Sequence, residues 1–170
     1  MSQATMKRSP AMKLEPRRFE NGKPLWIAGF RQHFTSETMN NISALWERFA
    51  PHIGNIPGQV GRVAYGLCFN AQSPDGMDYM VGVEVSSPSH HRANFSVISI
   101  PAQKYAVFLH RGHVSKLRET LDAIDKWLPG SGLQTACGTV GAPDFFERYS
   151  DEFDPRTGMG GMEVWIPLKS

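Results

Sequence analysis

The sequence predicts an α+β domain made of two similar strand–helix–strand–strand units, with antiparallel strands curled around a shared interior. Three observations lead to this fold class. β-like and helical runs follow one another in the same order in both halves of the 170 residues. Residues typical of a tight turn separate the last two β-like runs of the first unit and predict a hairpin there. The clearest amphipathic helix of the chain lies in the second unit.

The first unit starts with a strand over residues 25–34, whose side chains alternate between two faces. Ser36 is expected to cap the helix that follows, which ends before Gly54. Two β-like runs come next, over 63–70 and 77–85. The turn residues between them, Ser73-Pro74-Asp75-Gly76, predict a hairpin.

The second unit repeats this order. A strand pattern covers 96–112, and Pro101 predicts an edge or a bend within it. Apolar residues at steps of three and four predict a helix over 114–128. Residues 144–149 are interpreted as a short helical turn. The chain closes on a short apolar strand over 161–168.

Composition and charge limit the function classes. With 41% hydrophobic and 20% charged residues, the chain is typical of a folded protein. We expect a flexible leader over 1–12 and one domain over 13–170. Residues 1–18 hold five basic side chains against one acidic one, which leaves the rest of the chain mildly acidic although the total is +2. Such a body is a poor candidate for direct nucleic-acid binding.

The two cysteines and the hydropathy pattern predict a cytoplasmic protein. Cys68 and Cys137 allow one disulfide, but two buried free thiols in a reducing compartment are favoured. No apolar run is long enough to span a membrane, and the N-terminus lacks the apolar region of a signal peptide. We therefore expect no membrane partner.

Patterns for metals and nucleophiles are absent from the sequence. His90 and His91 are adjacent, and His110 and His113 have no carboxylate or cysteine at ligand spacing. No G-x-S-x-G or H-E-x-x-H motif occurs. The sequence therefore predicts no cofactor, no metal and no catalytic residue.

The last strand carries the most informative acid. Alternation places Glu163 and Trp165 on one face of this strand. If that face is interior, a carboxylate there must be paired with Arg or Lys, carry a proton, or await a cationic ligand. A carboxylate beside aromatic rings suits a delocalised cation. The alternative is an ordinary acid on the exposed face of an edge strand.

Other candidates allow the same two interpretations. Glu84 can be a solvent-facing strand acid, and Trp46 can be plain helix core. Tyr65 and Tyr79 can pair across the hairpin.

Four motifs, taken in order, resemble the AraC-type effector-binding domain, also called the GyrI-like small-molecule-binding domain. The last strand has E-x-W-I-P from Glu163 to Pro167, and F-E-x-Y precedes it from Phe146 to Tyr149. The first unit has N-x-I-x-x-L-W-x-x-F over 40–49 and Y-G-L over 65–67. The similarity runs from about Glu15 to Leu168.

This resemblance implies a duplicated unit that forms a curved antiparallel sheet with a central ligand cleft. In the family, the cleft takes lipophilic and often cationic molecules, with an acid at its floor and aromatic walls. The matching positions in this chain are Glu163, Trp165, Glu147, Tyr149, Trp46 and Tyr65. Electrostatic selection by Glu163 at the floor is the expectation.

Many relatives carry a helix-turn-helix region that a 12-residue leader cannot hold. The resemblance therefore implies a standalone form, similar to those on mobile gene cassettes. The leading hypothesis is non-catalytic binding that senses or sequesters a lipophilic cation. One alternative is a hydrolase in which Glu163 or Glu147 positions water and Tyr149 polarises a leaving oxygen. Another is a module that contacts a protein such as a transcription regulator or a topoisomerase.

Overall fold

The computed structural model describes residues 14–136 and 142–169, and in them one antiparallel sheet carries two α-helices. The predicted leader and Cys137 lie outside these residues. The strands are β1 Arg18–Gly22, β2 Leu25–Phe34, β3 Gln59–Phe69, β4 Met77–Val85, β5 Ser96–Ile100, β6 Gln103–Leu109, β7 Phe145–Tyr149 and β8 Met162–Leu168, and the helices are α1 Ile42–Phe49 and α2 Leu117–Trp127.

The strand order β1-β6-β8-β7-β3-β4-β2-β5 confirms the predicted duplication. One unit is β2-α1-β3-β4 and the other is β6-α2-β7-β8. Each contributes three strands in the same relative order, and the units meet where β3 pairs with β7. The additional strands β1 and β5 form the two edges, beside β6 and β2 respectively.

Both helices cover the same face of the sheet, here called the helix face. Helix α1 packs over β2 and β4, and α2 packs over β6 and β8. Strand register places one row of side chains across this face: Val81, Gly66, Glu147, Val164 and Phe108. Gly66 and Glu147 therefore lie at the middle of the sheet, on the seam between the two units.

The middle of the opposite face, here called the inner face, is buried, although no helix of the described residues packs over it. Leu67, Met80, Phe146, Tyr105 and Val107 are at most 2% exposed there. A flat sheet would leave such side chains in water. Their burial in one cluster with residues of β2 and β5 follows from the curling of the sheet, so this interior is filled by side chains.

Two sequence predictions are wrong in this part of the chain. Residues 144–149 do not form a helical turn, because Phe145–Tyr149 is strand β7 with β3 on one side and β8 on the other. Backbone pairing on both sides outweighs the weak helical preference of this short segment. Ser36 does not cap α1, which begins at Ile42 after a 3-10 turn over Met39–Asn41.

The strand pattern over 96–112 is interrupted at Pro101, as expected from a residue without a backbone N–H. β5 pairs with β2, whereas β6 pairs with β1 and β8. The sequence does not predict strand β1, since RFENG has no apolar alternation; among the described strands its pairing partner is β6. In the described residues, neither helix has the length and apolarity needed to cross a bilayer.

Candidate functional site

A buried group of polar and aromatic side chains lies on the helix face where the two units meet. We call Glu147, Tyr149, Tyr79 and Trp46 the tyrosine–glutamate cluster. The Tyr79 hydroxyl donates to Oε1 of Glu147 at 2.6 Å, and the Tyr149 hydroxyl donates to the same oxygen at 2.8 Å. The indole N–H of Trp46 donates to the Tyr79 hydroxyl oxygen at 3.1 Å. The rings of Trp46 and Tyr149 meet edge to face at 4.9 Å.

Strand register and one glycine create the room for this cluster. Gly66 pairs with Glu147 across β3 and β7, and Cys68 pairs with Tyr79 across β3 and β4. A Cβ atom on Gly66 would lie 2.7 Å from Oε1 of Glu147 and would collide with the Tyr79 hydroxyl. Glycine at this position therefore leaves the space in which the Tyr79 hydroxyl meets the carboxylate.

The environment of Glu147 is unusual for a carboxylate. Burial raises the pKa of Glu147, and the hydrogen bonds from Tyr79 and Tyr149 oppose this only in part. In the described part of the chain, no Arg, Lys or His forms an ion pair with Glu147. Burial and the charge of Glu147 hold the pKa values of both tyrosines well above the usual range, so their hydroxyls stay protonated donors.

Glu163 lies on the inner face and is already neutralised by the protein. Its two oxygens accept hydrogen bonds from Arg18 at 2.7 and 3.1 Å, and Arg17 lies 3.3 Å away. The indole N–H of Trp165 donates to Oε1 at 3.0 Å, and Arg148 is 3.9 Å from that oxygen. Burial raises the pKa of Glu163, but the hydrogen bonds from Arg18 and Trp165 and the arginine charges outweigh it, so the net pKa is lowered.

Replacing Glu163 by glutamine is expected to lower the free energy of unfolding by about 1–3 kcal/mol at neutral pH. A lowered pKa in the folded state gives stabilisation that is present above the unfolded pKa and lost as pH falls through the folded value. The gap between wild type and Glu163→Gln should therefore shrink in acid. Urea unfolding at neutral and acid pH measures it, with the exposed Glu119→Gln as the control. A gap that does not change with pH would refute the ion-pair origin.

The six sequence-predicted site residues divide between the two faces. Trp46, Glu147 and Tyr149 meet in the tyrosine–glutamate cluster, whereas Glu163, Trp165 and Tyr65 lie on the inner face. Glu147 and Glu163 do not share a site, because Glu147 pairs with Val164 while Glu163 pairs with Arg148.

Tyr79 is the member of the cluster that sequence reasoning missed. Its suggested pairing with Tyr65 is wrong: Tyr79 pairs with Cys68 and Tyr65 with Gly82, so the tyrosines point to opposite faces. Counting the residues of the two strands back from the turn was a signal that could have separated them.

The cluster is closed on the outside. Trp46 is half-buried and covers it, and Ile53 packs against its Tyr149 end. Ile53 also lines an open groove of about 470 Å³ together with Gln59, Arg62 and Asp151. A second groove of about 380 Å³ lies at the β6 and β8 ends, lined by Gln103, Lys104, Leu168 and Lys169 among others.

Cys68 is a buried free thiol, and burial raises its pKa well above the usual value. Within 14–136 and 142–169, no group of three or more His, Cys, Asp or Glu side chains is placed to hold a metal ion.

A profile of the GyrI-like small molecule binding domain matches residues 17–169, nearly the whole chain. The chain belongs to this family. The resemblance inferred from the four motifs is thus confirmed. The GyrI-like domain is similar to the transcriptional regulator BrlR of Pseudomonas aeruginosa, with 33% identity over 149 residues. That alignment covers 86% of this chain and 53% of BrlR, so the chain spans about half of that relative.

Solved structures show the same fold. SAV2435 bound to tetraphenylphosphonium has a TM-score of 0.70 at 22% identity, covering 90% of this chain and 93% of the other. An integron cassette protein from the mobile metagenome of Vibrio cholerae has a TM-score of 0.58 at 18% identity, covering 91% and 95%. These likenesses confirm the α+β duplicated fold with its curved antiparallel sheet.

Proposed function

We propose that this GyrI-like domain binds a small lipophilic organic cation, without turning it over, and that Glu147 selects its charge. The observation that carries this proposal is a buried carboxylate with aromatic neighbours and no cationic partner among the described residues. Its hydrogen-bond donors are neutral hydroxyls, so its negative charge is left for a ligand to balance.

Two contributions would supply affinity at the tyrosine–glutamate cluster. Burial of apolar ligand surface is worth roughly 25 cal/mol per Å². A cation against the rings of Trp46, Tyr79 or Tyr149 adds about 0.5–2 kcal/mol, depending on how far it is desolvated. Because Trp46 covers the cluster, we propose that the ligand displaces this side chain and enters from the groove beside Ile53.

The family and one neighbour support this proposal. The matching family is defined by small-molecule binding. SAV2435, which has the same fold, is bound to tetraphenylphosphonium, a lipophilic cation. BrlR is a transcriptional regulator, so we propose a sensing or sequestering role for this chain in a regulatory setting.

The charge-selecting role was predicted for Glu163, and we now propose it for Glu147. Glu163 has Arg17, Arg18 and Arg148 within 4 Å, so a cationic ligand there would compete with arginine charges. Glu147 has no such competitor among the described residues. Glu163 of β8 instead binds Arg17, which precedes β1, and Arg18, the first residue of β1.

Calorimetric titration with tetraphenylphosphonium and with neutral triphenylphosphine oxide tests the proposal. Wild type should prefer the cation, and Glu147→Gln should weaken cation binding by about tenfold to a hundredfold, because one charge contact in a partly desolvated site is lost. Binding of the neutral compound should change little in the same variant.

Glu163→Gln is the matched control, since it makes the same chemical change on the other face of the sheet. We expect it to leave cation affinity unchanged. If cation affinity falls in Glu163→Gln but not in Glu147→Gln, Glu163 and not Glu147 selects the charge of the ligand. The absence of binding by wild type to both compounds would refute the proposal and favour the protein-contact alternative.

Hydrolysis is a second candidate that uses the same cluster. The raised pKa of Glu147 and the adjacent hydroxyl of Tyr149 suit general acid–base chemistry. Incubation of an aryl ester of a lipophilic cation with wild type and Glu147→Gln tests this function. Turnover by wild type that Glu147→Gln abolishes would establish an enzyme, whereas an intact ester leaves binding alone.

A further inference from the structure

Three arginines surround one carboxylate on the inner face. We call Arg17, Arg18 and Arg148 the arginine cluster. Their guanidinium nitrogens lie 3.3, 2.7 and 3.9 Å from the nearest oxygen of Glu163. None of the three belongs to the tyrosine–glutamate cluster.

The cluster has more positive than negative charge. Arg18 binds Glu163 through two nitrogens and Glu20 through the third, so each of its nitrogens already has a carboxylate partner. Arg17 shares one oxygen of Glu163 with Arg18. At 3.9 Å, Arg148 is too far for a hydrogen bond to Glu163. Arg148 instead interacts with the neutral hydroxyl of Tyr65, so three guanidinium groups face two carboxylates and Arg148 has no hydrogen bond to either carboxylate.

An aromatic surface lies beside these charges. The guanidinium carbons of Arg18 and Arg148 are each 5.6 Å from the centroid of the Trp165 ring. Trp165 is half-buried and stacks on Phe146 at 5.4 Å with an interplanar angle of 22°. The side chains of Arg148 and Arg17 are 30% and 53% exposed, so a ligand can reach them from solvent.

We propose that the arginine cluster and Trp165 form a second ligand site that takes a small aromatic anion, such as an arene sulfonate or carboxylate. The acid group would accept hydrogen bonds from Arg148 and Arg17, whose planar guanidinium groups match two oxygens. The arene would lie against the exposed part of Trp165. One uncompensated positive charge fits a monoanion and is too little for a polyanion such as nucleic acid.

This site is independent of the proposed cation site. Glu147 and Arg148 are consecutive in β7, and strand alternation sends their side chains to opposite faces. A change at Arg148 should therefore leave tetraphenylphosphonium binding intact. Failure of one proposal leaves the other standing.

Titration with 2-naphthalenesulfonate and with neutral 2-naphthalenemethanol tests the anion site at low salt. Wild type should bind the sulfonate more tightly than the alcohol. Arg148→Gln should weaken sulfonate binding by about tenfold or more, because a charge-assisted contact is lost. Arg148→Lys retains the charge but not the planar guanidinium group, so its affinity for the sulfonate should lie between those of wild type and Arg148→Gln.

Arg118→Gln is the matched control, because Arg118 is an exposed arginine of α2 paired with Asp122. It should bind the sulfonate as wild type does. Equal affinities for Arg148→Gln and Arg118→Gln, or no preference of wild type for the sulfonate over the alcohol, would overturn the proposal. If Arg148→Gln does not fold, the exposed Arg17→Gln decides: weaker sulfonate binding supports the site and unchanged binding overturns it.

Discussion

Replacing Gly66 by alanine is expected to lower the free energy of unfolding by about 1–3 kcal/mol, as overpacking of a filled interior does. It should also abolish cation binding. The added methyl group would collide with the Tyr79 hydroxyl and lie 2.7 Å from Oε1 of Glu147. Neither group can retreat easily, because Tyr79 is 2% exposed and its hydroxyl also accepts the Trp46 N–H. The buried carboxylate of Glu147 would therefore lose the hydrogen bond from the Tyr79 hydroxyl.

The sign of the change in unfolding free energy caused by Gly66→Ala tests the packing around Gly66. Intrinsic preference alone favours alanine over glycine within a strand by about 0.5–1 kcal/mol. Destabilisation would therefore report the contact with the tyrosine–glutamate cluster. Gly130→Ala is the control, because Gly130 has no atom near an added Cβ. Urea unfolding and tetraphenylphosphonium titration measure both effects. A Gly66→Ala protein as stable as Gly130→Ala would contradict this packing.

Elements with strong local signals could be predicted from the sequence. Strand β2, the β3–β4 hairpin, helix α2 and strand β8 have clear periodicity or turn chemistry, and the structure confirms them. Strand β1 has no such signal, since RFENG is stabilised by its pairing with β6, whose residues lie about 85 positions later in the chain.

The candidate site depended on one misassigned element. Alternation in β8 correctly placed Glu163 and Trp165 on one face. When residues 144–149 are treated as a helical turn, Glu147 cannot be assigned to either face of the sheet. The sequence therefore could not show that Glu147 and Glu163 lie on opposite faces. With β7 as a strand, its register against β8 places them on opposite faces.

The partners of Glu163 were beyond sequence reasoning for another reason. Arg17 and Arg18 are 146 and 145 residues away in the chain, and nothing local links them to the last strand. Pairing with Arg or Lys was one of the states considered for this acid. The tertiary fold selects it, because the β1–β6–β8 order brings Arg18 beside Glu163.

The affinity of wild type for tetraphenylphosphonium is expected to rise with pH, by up to about tenfold per unit, until Glu147 is ionised in the free protein. Burial raises the pKa of Glu147, so part of the free protein carries a proton on this carboxyl at a pH where ordinary glutamates are ionised. A bound cation stabilises the carboxylate and lowers its pKa. Binding must therefore release a proton below the free-state pKa.

Titrations over a range of pH, repeated in buffers of different ionisation enthalpy, measure the affinity and the proton release. The cation affinity of Glu147→Gln should not change with pH over the same range. This control separates Glu147 from surface groups such as His33, whose pKa is raised mainly by its hydrogen bond to Asp78. The position of the rise also identifies the acid. The pKa of Glu163 is lowered, so if Glu163 selected the cation, affinity would fall only in acid below the usual glutamate range. A rise above that range, abolished by Glu147→Gln, is the result that the tyrosine–glutamate cluster requires.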